Sequence, residues 1–227
     1  MPTDSLPSFG LISPRSLLIW AGFEVVITIA WLLWHNSLPI RWSALVRLLR
    51  FTAIPYMALI TGQISSTRIG LEGFDWQGSF TLGGMLVAVI SMIWVGIRVS
   101  VQETALNHEP VSERSNTSGI SIWVERGLTF VLCGGLELNW SFWRATFAYL
   151  IGLVLFETKS FTYWGVTIAV IYALPETLLT APTAMTKLTN LAILFATSVI
   201  FLFTGNFWLC WAMHVILRFM ALPTDGD

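Results

Sequence analysis

Apolar stretches of about twenty residues recur along this chain, separated by short polar breaks. About twenty apolar residues in a helix are enough to cross the ~30 Å hydrocarbon layer of a bilayer. In lipid only a helix or a closed barrel satisfies every backbone N–H and C=O group. The first stretch covers roughly 16–35 and closes at His35, Asn36 and Pro39. The second covers roughly 43–63, with Arg47 and Arg50 in its first turns and Pro55 expected to kink it. A turn-rich loop, Gln63–Ser79, leads to a third span, Phe80–Val99. Beyond the hydrophilic segment Gln102–Gly119 lies an apolar region over roughly 120–156. It is too long for one upright span, and Gly134-Gly135 is the expected point of kinking or division. Three further spans follow at about 161–179, 186–203 and 207–222. The expected fold is all-α, a polytopic transmembrane bundle of about seven helices. It is organised as a three-helix part (1–101), a hydrophilic loop (102–119) and a C-terminal membrane part (120–227).

Composition excludes the main alternatives. Of 227 residues, 55% are hydrophobic and 11% charged, against roughly 25% charged in soluble domains. So much apolar surface does not fit the core of a soluble enzyme of this length, and a disordered chain is excluded on the same ground. Twelve Lys+Arg against thirteen Asp+Glu give a net charge of −1, so no basic field attracts a nucleic acid. The lipid bilayer is the expected surrounding, in a plasma or other energy-transducing membrane. The polar segment before Ser16 lacks a basic n-region and the apolar run after it is long, so a retained first helix is expected rather than a cleaved signal. Arg41, Arg47, Arg50, Arg98, Arg114 and Arg126 fall on one side of the predicted spans and Arg15 and Arg68 on the other. The positive-inside bias then places the N-terminus outside.

An ionisable group within a spanning helix costs ~2.5–3.5 kcal/mol on insertion scales, so each needs a partner or a task. Six stand there: Glu24, Glu137, Arg144, Glu176, His214 and Arg218. Glu137 and Arg144 share a helix face, as do His214 and Arg218. The plainer reading is that these groups pair and hold helices in register; the sharper one is a reaction or transport site. No metal site is expected, because His35, His108 and His214 have no ligand spacing and neither Cys133 nor Cys210 has a CxxC partner. A Cys133–Cys210 disulfide is not arguable from two cysteines in apolar stretches.

Twelve Trp and fifteen Phe are many for this length. Trp31, Trp34, Trp42, Trp76, Trp123, Trp164 and Trp208 lie near predicted span ends, as in an interfacial belt, while Trp94, Trp140, Trp143 and Trp211 lie deeper. Packing and anchoring account for them, the alternative being contact with a flat hydrophobic cofactor, a pigment or a partner's spanning helices. Contact with a pigment whose metal is ligated by His214 or His35 is the weaker alternative, and no cofactor is expected.

The segment Asn190–Phe219, with Thr204-Gly205-Asn206, Trp208 and His214, resembles the last two helices of the CAAX-protease and bacteriocin-processing (CPBP) family of intramembrane proteases. The family's His-x-x-x-Asn motif keeps its histidine as His214, with Arg218 in the asparagine position. Its Glu-Glu-x-x-x-Arg motif aligns with Asn139 to Arg144, keeping the arginine but replacing the glutamates by Asn139 and Trp140. Its Phe-x-x-x-His motif falls on Tyr172 to Glu176, with glutamate in place of histidine. The resemblance covers roughly 120–222 and implies a membrane-embedded site where a glutamate activates water, helped by histidines.

Those replacements remove the implied machinery. An amide at position 139 cannot act as the general base, Trp140 fills space a water would need, and Glu137 is turned by about 200° from Asn139 on a helix. The expectation is therefore a non-catalytic relative serving as a scaffold or subunit of a larger membrane complex. In it Glu176 pairs with Arg218, and Arg144 is held by Glu137 or Asn139 within a structural cluster that includes Tyr172. The alternative is an active endopeptidase using Glu137 or Glu176 with His214. A carrier would need inverted repeats or paired broken helices, and neither is visible in the sequence.

Overall fold

The structure, a computed structural model, describes residues 14–34, 40–105, 119–155 and 161–221. Eight helices stand among the described residues: α1 (Pro14–Trp34), α2 (Ile40–Ile60), α3 (Ser66–Ile69), α4 (Trp76–Ala105), α5 (Gly119–Leu155), α6 (Phe161–Leu179), α7 (Ala184–Thr204) and α8 (Phe207–Ala221). The fold is all-α. By length and composition α1, α4 and α7 can each cross a membrane, over Ser16–Trp34, Trp76–Ser100 and Ala184–Thr204, and α8 is a shorter apolar helix. The chain thus has the make-up of a multi-pass membrane protein.

Three expected boundaries move, each for a local reason. The stretch from Gln63 to Ser79 is not all loop. Ser65 accepts from the backbone N–H of Arg68 at 3.3 Å and caps the short α3, which ends at Gly70 in the left-handed region (φ 82°). α4 starts at Trp76, earlier than expected, because the Asp75 carboxylate accepts from the N–H groups of Gln77 and Gly78, both at 3.0 Å. The third change is the largest: α5 is one unbroken helix of 37 residues, about 55 Å long. Gly134 and Gly135 do not divide it. They are contact points, where a Cβ at Gly134 would meet the Trp211 indole at 2.9 Å and one at Gly135 the Thr52 side chain of α2 at 3.1 Å. α2 and α6 likewise continue through Pro55 and Pro175.

α5 lies at the centre. From Asn139 to Thr146 every residue is buried, so this helix is enclosed on all sides rather than amphipathic. One core gathers Trp94 of α4, Trp140 of α5, Ile193 and Ile200 of α7, and Met213 and Leu217 of α8. A second gathers Leu17 and Ala21 of α1, Ile54 and Ala58 of α2, Phe142 and Trp143 of α5, and Ala169 of α6. α2 packs on α5, and α4 on α7 and α8, so helices from both sides of the 102–119 segment interleave.

The α7–α8 connection explains the Thr-Gly-Asn signal. Gly205 ends α7 in the left-handed region (φ 58°), and the buried Asn206 caps α8 by accepting from the N–H groups of Trp208 (2.9 Å) and Leu209 (3.3 Å). The α3 loop closes over this turn. Phe207 N–H donates to the Gly70 carbonyl at 2.9 Å, and the Trp208 indole donates to the Leu71 carbonyl at 3.2 Å.

Trp34, Trp76, Trp164 and Trp208 are exposed, as an interfacial belt requires, while Trp94, Trp140 and Trp143 are buried. Trp31 departs from the expected belt: it is buried beneath the guanidinium groups of Arg47 and Arg50, each 5.7 Å from its ring. The side chains of Arg15, Arg41, Trp42 and Trp123 are not described, and His35, His108 and Arg114 lie outside the described residues.

Candidate functional site

The buried charges form two clusters, one on each side of α5. Glu137 and Arg144 stand seven residues apart, which puts them on one face two turns apart. They form an ion pair at 2.6 Å, Arg144 being 1% exposed and Glu137 fully buried. The rest of the guanidinium is used by α7: Nη2 donates to Thr197 Oγ1 at 3.0 Å and Ser198 Oγ at 3.2 Å, and the Phe201 ring lies 5.1 Å beneath it. His214 of α8 completes the group. Its Nδ1 lies 3.6 Å from Glu137 Oε2, beyond hydrogen-bond distance, and its ring stacks on Trp140 with centroids 5.3 Å apart. Cys210 reaches the same region, its thiol 3.3 Å from the Thr197 carbonyl. Cys133 and Cys210 are both free thiols.

The second cluster joins α1, α2, α5 and α6. Asn139, turned away from Glu137 as helix geometry requires, donates to Glu24 Oε1 at 2.6 Å. Glu176 is held by a guanidinium fork: Arg50 Nη1 donates to Oε1 and Nη2 to Oε2, the latter at 2.7 Å. Arg50 Nη2 also donates to Thr28 Oγ1 at 3.1 Å. The Tyr172 hydroxyl lies 3.5 Å from the same oxygen, with its ring 4.1 Å from that of Trp143.

These contacts correct one expected pair and choose between two others. Glu176 does not pair with Arg218. Both its oxygens are taken by Arg50, and Arg218 donates instead to Asn190 Oδ1 at 2.8 Å. The fork geometry accounts for the choice, since the planar guanidinium gives one N–H to each carboxylate oxygen. Arg144 takes Glu137, while Asn139 takes Glu24. Arg50, expected in the first turns of its span, is 5% exposed in the middle of α2. Its depth in the span was the available signal, because a guanidinium so placed needs an anion.

Of the three candidate catalytic residues, Glu137 and His214 are adjacent and Glu176 belongs to the other cluster. His214 and Glu176 nevertheless both border one cavity of about 390 Å³. It lies beside the middle of α2 and the C-terminal end of α6, next to the α6–α7 connection Thr180-Ala181-Pro182 and the last turn of α8. Among the described residues, no group of three or more His, Cys, Asp or Glu converges as a metal site would require.

Comparison with family profiles, curated proteins and solved structures finds no match to this chain. The geometry of its own residues therefore carries the functional argument.

Proposed function

We propose that this chain is a non-catalytic multi-pass membrane protein, built like the CPBP intramembrane proteases in its C-terminal half, that serves as a scaffold or subunit of a larger membrane complex. On this reading all seven long helices lie in the bilayer. The observation that carries it is the engagement of the carboxylates. Glu137 is fully buried in an ion pair with Arg144, and Glu176 is held at both oxygens by Arg50. Glu137 Oε2 makes no hydrogen bond, but a general base must reach a water with a suitable basicity, and a fully buried carboxylate ion-paired to a guanidinium is poorly suited to that task. The outer face of α4 supports the partner half of the reading. Only 11% of its most apolar window is buried, and Met85, Met92 and Ile93 point outward from the bundle. Such a face packs against lipid or against another spanning helix.

A second reading keeps an active endopeptidase using Glu137 or Glu176 with His214, and the cavity bordered by both Glu176 and His214 favours it. One experiment separates the two. The full chain and its Glu137→Gln and His214→Ala variants are expressed with a membrane-anchored cleavage reporter, then purified in mild detergent for identification of co-purifying chains. Scaffold function predicts an uncleaved reporter, a stoichiometric membrane partner for the unmodified chain, and reduced abundance or reduced partner recovery for the variants. Cleavage by the unmodified chain that His214→Ala abolishes at equal abundance establishes the protease instead.

A further inference from the structure

The cavity at the α6–α7 end carries unbalanced charge. Arg47 and Arg218 border it, and the carboxylate on its wall, Glu176, is already held by Arg50. Arg218 gives one Nη to the neutral amide of Asn190, and Arg47 lies over the Trp31 ring. Among the described residues neither has a carboxylate within ion-pair distance. Two guanidinium groups therefore face one cavity with no anion between them. Their positions are also set by the fold. Arg218 stands in the last turn of α8, and Arg47 stands on α2 about one turn before the middle of that helix. The same cavity is lined by the apolar side chains of Phe51, Leu132, Leu136 and Ile193. Guanidinium groups and apolar side chains lining one cavity match an anionic head attached to hydrocarbon. Planar guanidinium groups bind phosphate oxygens bidentately.

We propose that this cavity binds an amphiphile bearing a phosphate group, the phosphate held between Arg47 and Arg218 and the hydrocarbon lying along Phe51, Leu132, Leu136 and Ile193. The site does not depend on whether the chain acts as a scaffold. The test titrates the full chain in detergent micelles with dihexanoyl phosphatidic acid, dihexanoyl phosphatidylcholine and inorganic phosphate, each followed by tryptophan fluorescence. Trp31 and Trp140 border the cavity and report its occupancy. Phosphatidic acid should bind saturably, and Arg47→Gln and Arg218→Gln should each weaken it at least tenfold, the size expected for losing a charge-assisted contact. Arg218 also holds Asn190, so Arg47→Gln, at an exposed position, carries the test where Arg218→Gln fails to fold. Equal affinity for phosphatidylcholine overturns the phosphate clamp, and equal affinity for inorganic phosphate overturns the amphiphile. Unchanged affinity in Arg47→Gln overturns the site as a whole.

Discussion

Arg144 heads the fully buried side chains by size, and its surroundings show how a guanidinium is kept away from both water and lipid. One carboxylate, two hydroxyls and an aromatic face take it up. Breaking a buried pair by removing one partner typically costs ~3–5 kcal/mol, whereas replacing both by apolar groups is often close to neutral. Glu137→Leu and Arg144→Met should therefore each lower unfolding stability in micelles by about 3–5 kcal/mol, and the double variant by much less than their sum. Additive losses would mean that the two charges do not act as a pair. This pair was legible in the sequence because both partners sit on one helix at a fixed spacing. The Arg50–Glu176 pair was not, because 126 residues separate its members and only the packing of α2 against the α5–α6 hairpin brings them together.

At the scale of elements, glycine decides how closely helices approach. Gly165 of α6 faces the backbone of α5, where a Cβ would stand 2.5 Å from Ala148 N and 2.6 Å from its Cα. Backbone cannot rotate aside as a side chain can, so Gly165→Ala must push α6 away from α5. The expected loss is about 1–3 kcal/mol, read as a lower unfolding midpoint in detergent. Gly84→Ala is the control, since nothing lies within 4 Å of its added Cβ. It should be neutral or stabilise α4 by up to ~1 kcal/mol through helix propensity. If Gly165→Ala is as well tolerated as Gly84→Ala, the α5–α6 contact is looser than described. Hydropathy located the seven long helices to within a few residues at most ends, because length in lipid is a strong constraint. It failed at Gly134-Gly135 for one of the two expectations there, kinking or division: the helix is not divided. A run of apolar residues reports burial but says nothing of whether a helix crosses upright, tilts or extends past the membrane.

For the molecule as a whole, the pairing of charges also orders events in time. On the proposed reading, with all seven long helices in the bilayer, α5 enters it with Glu137 and Arg144 already within reach of each other, and the later steps follow from that reading. Arg50 has no such neighbour on α2, and its anion arrives only with α6. Until then a guanidinium waits in the membrane at a cost of ~2.5–3.5 kcal/mol on insertion scales. A chain ended at Lys159, after α5 and before α6, should insert poorly and be degraded quickly, as read by pulse-chase half-life. Arg50→Met should lengthen the life of that shortened chain while shortening that of the full one, because in the full chain it strands Glu176. If the substitution acts in the same direction on both, the wait imposes nothing. Otherwise α2 is held provisionally until α6 has been made, and α6 acts as the latch that commits the early helices to their final places.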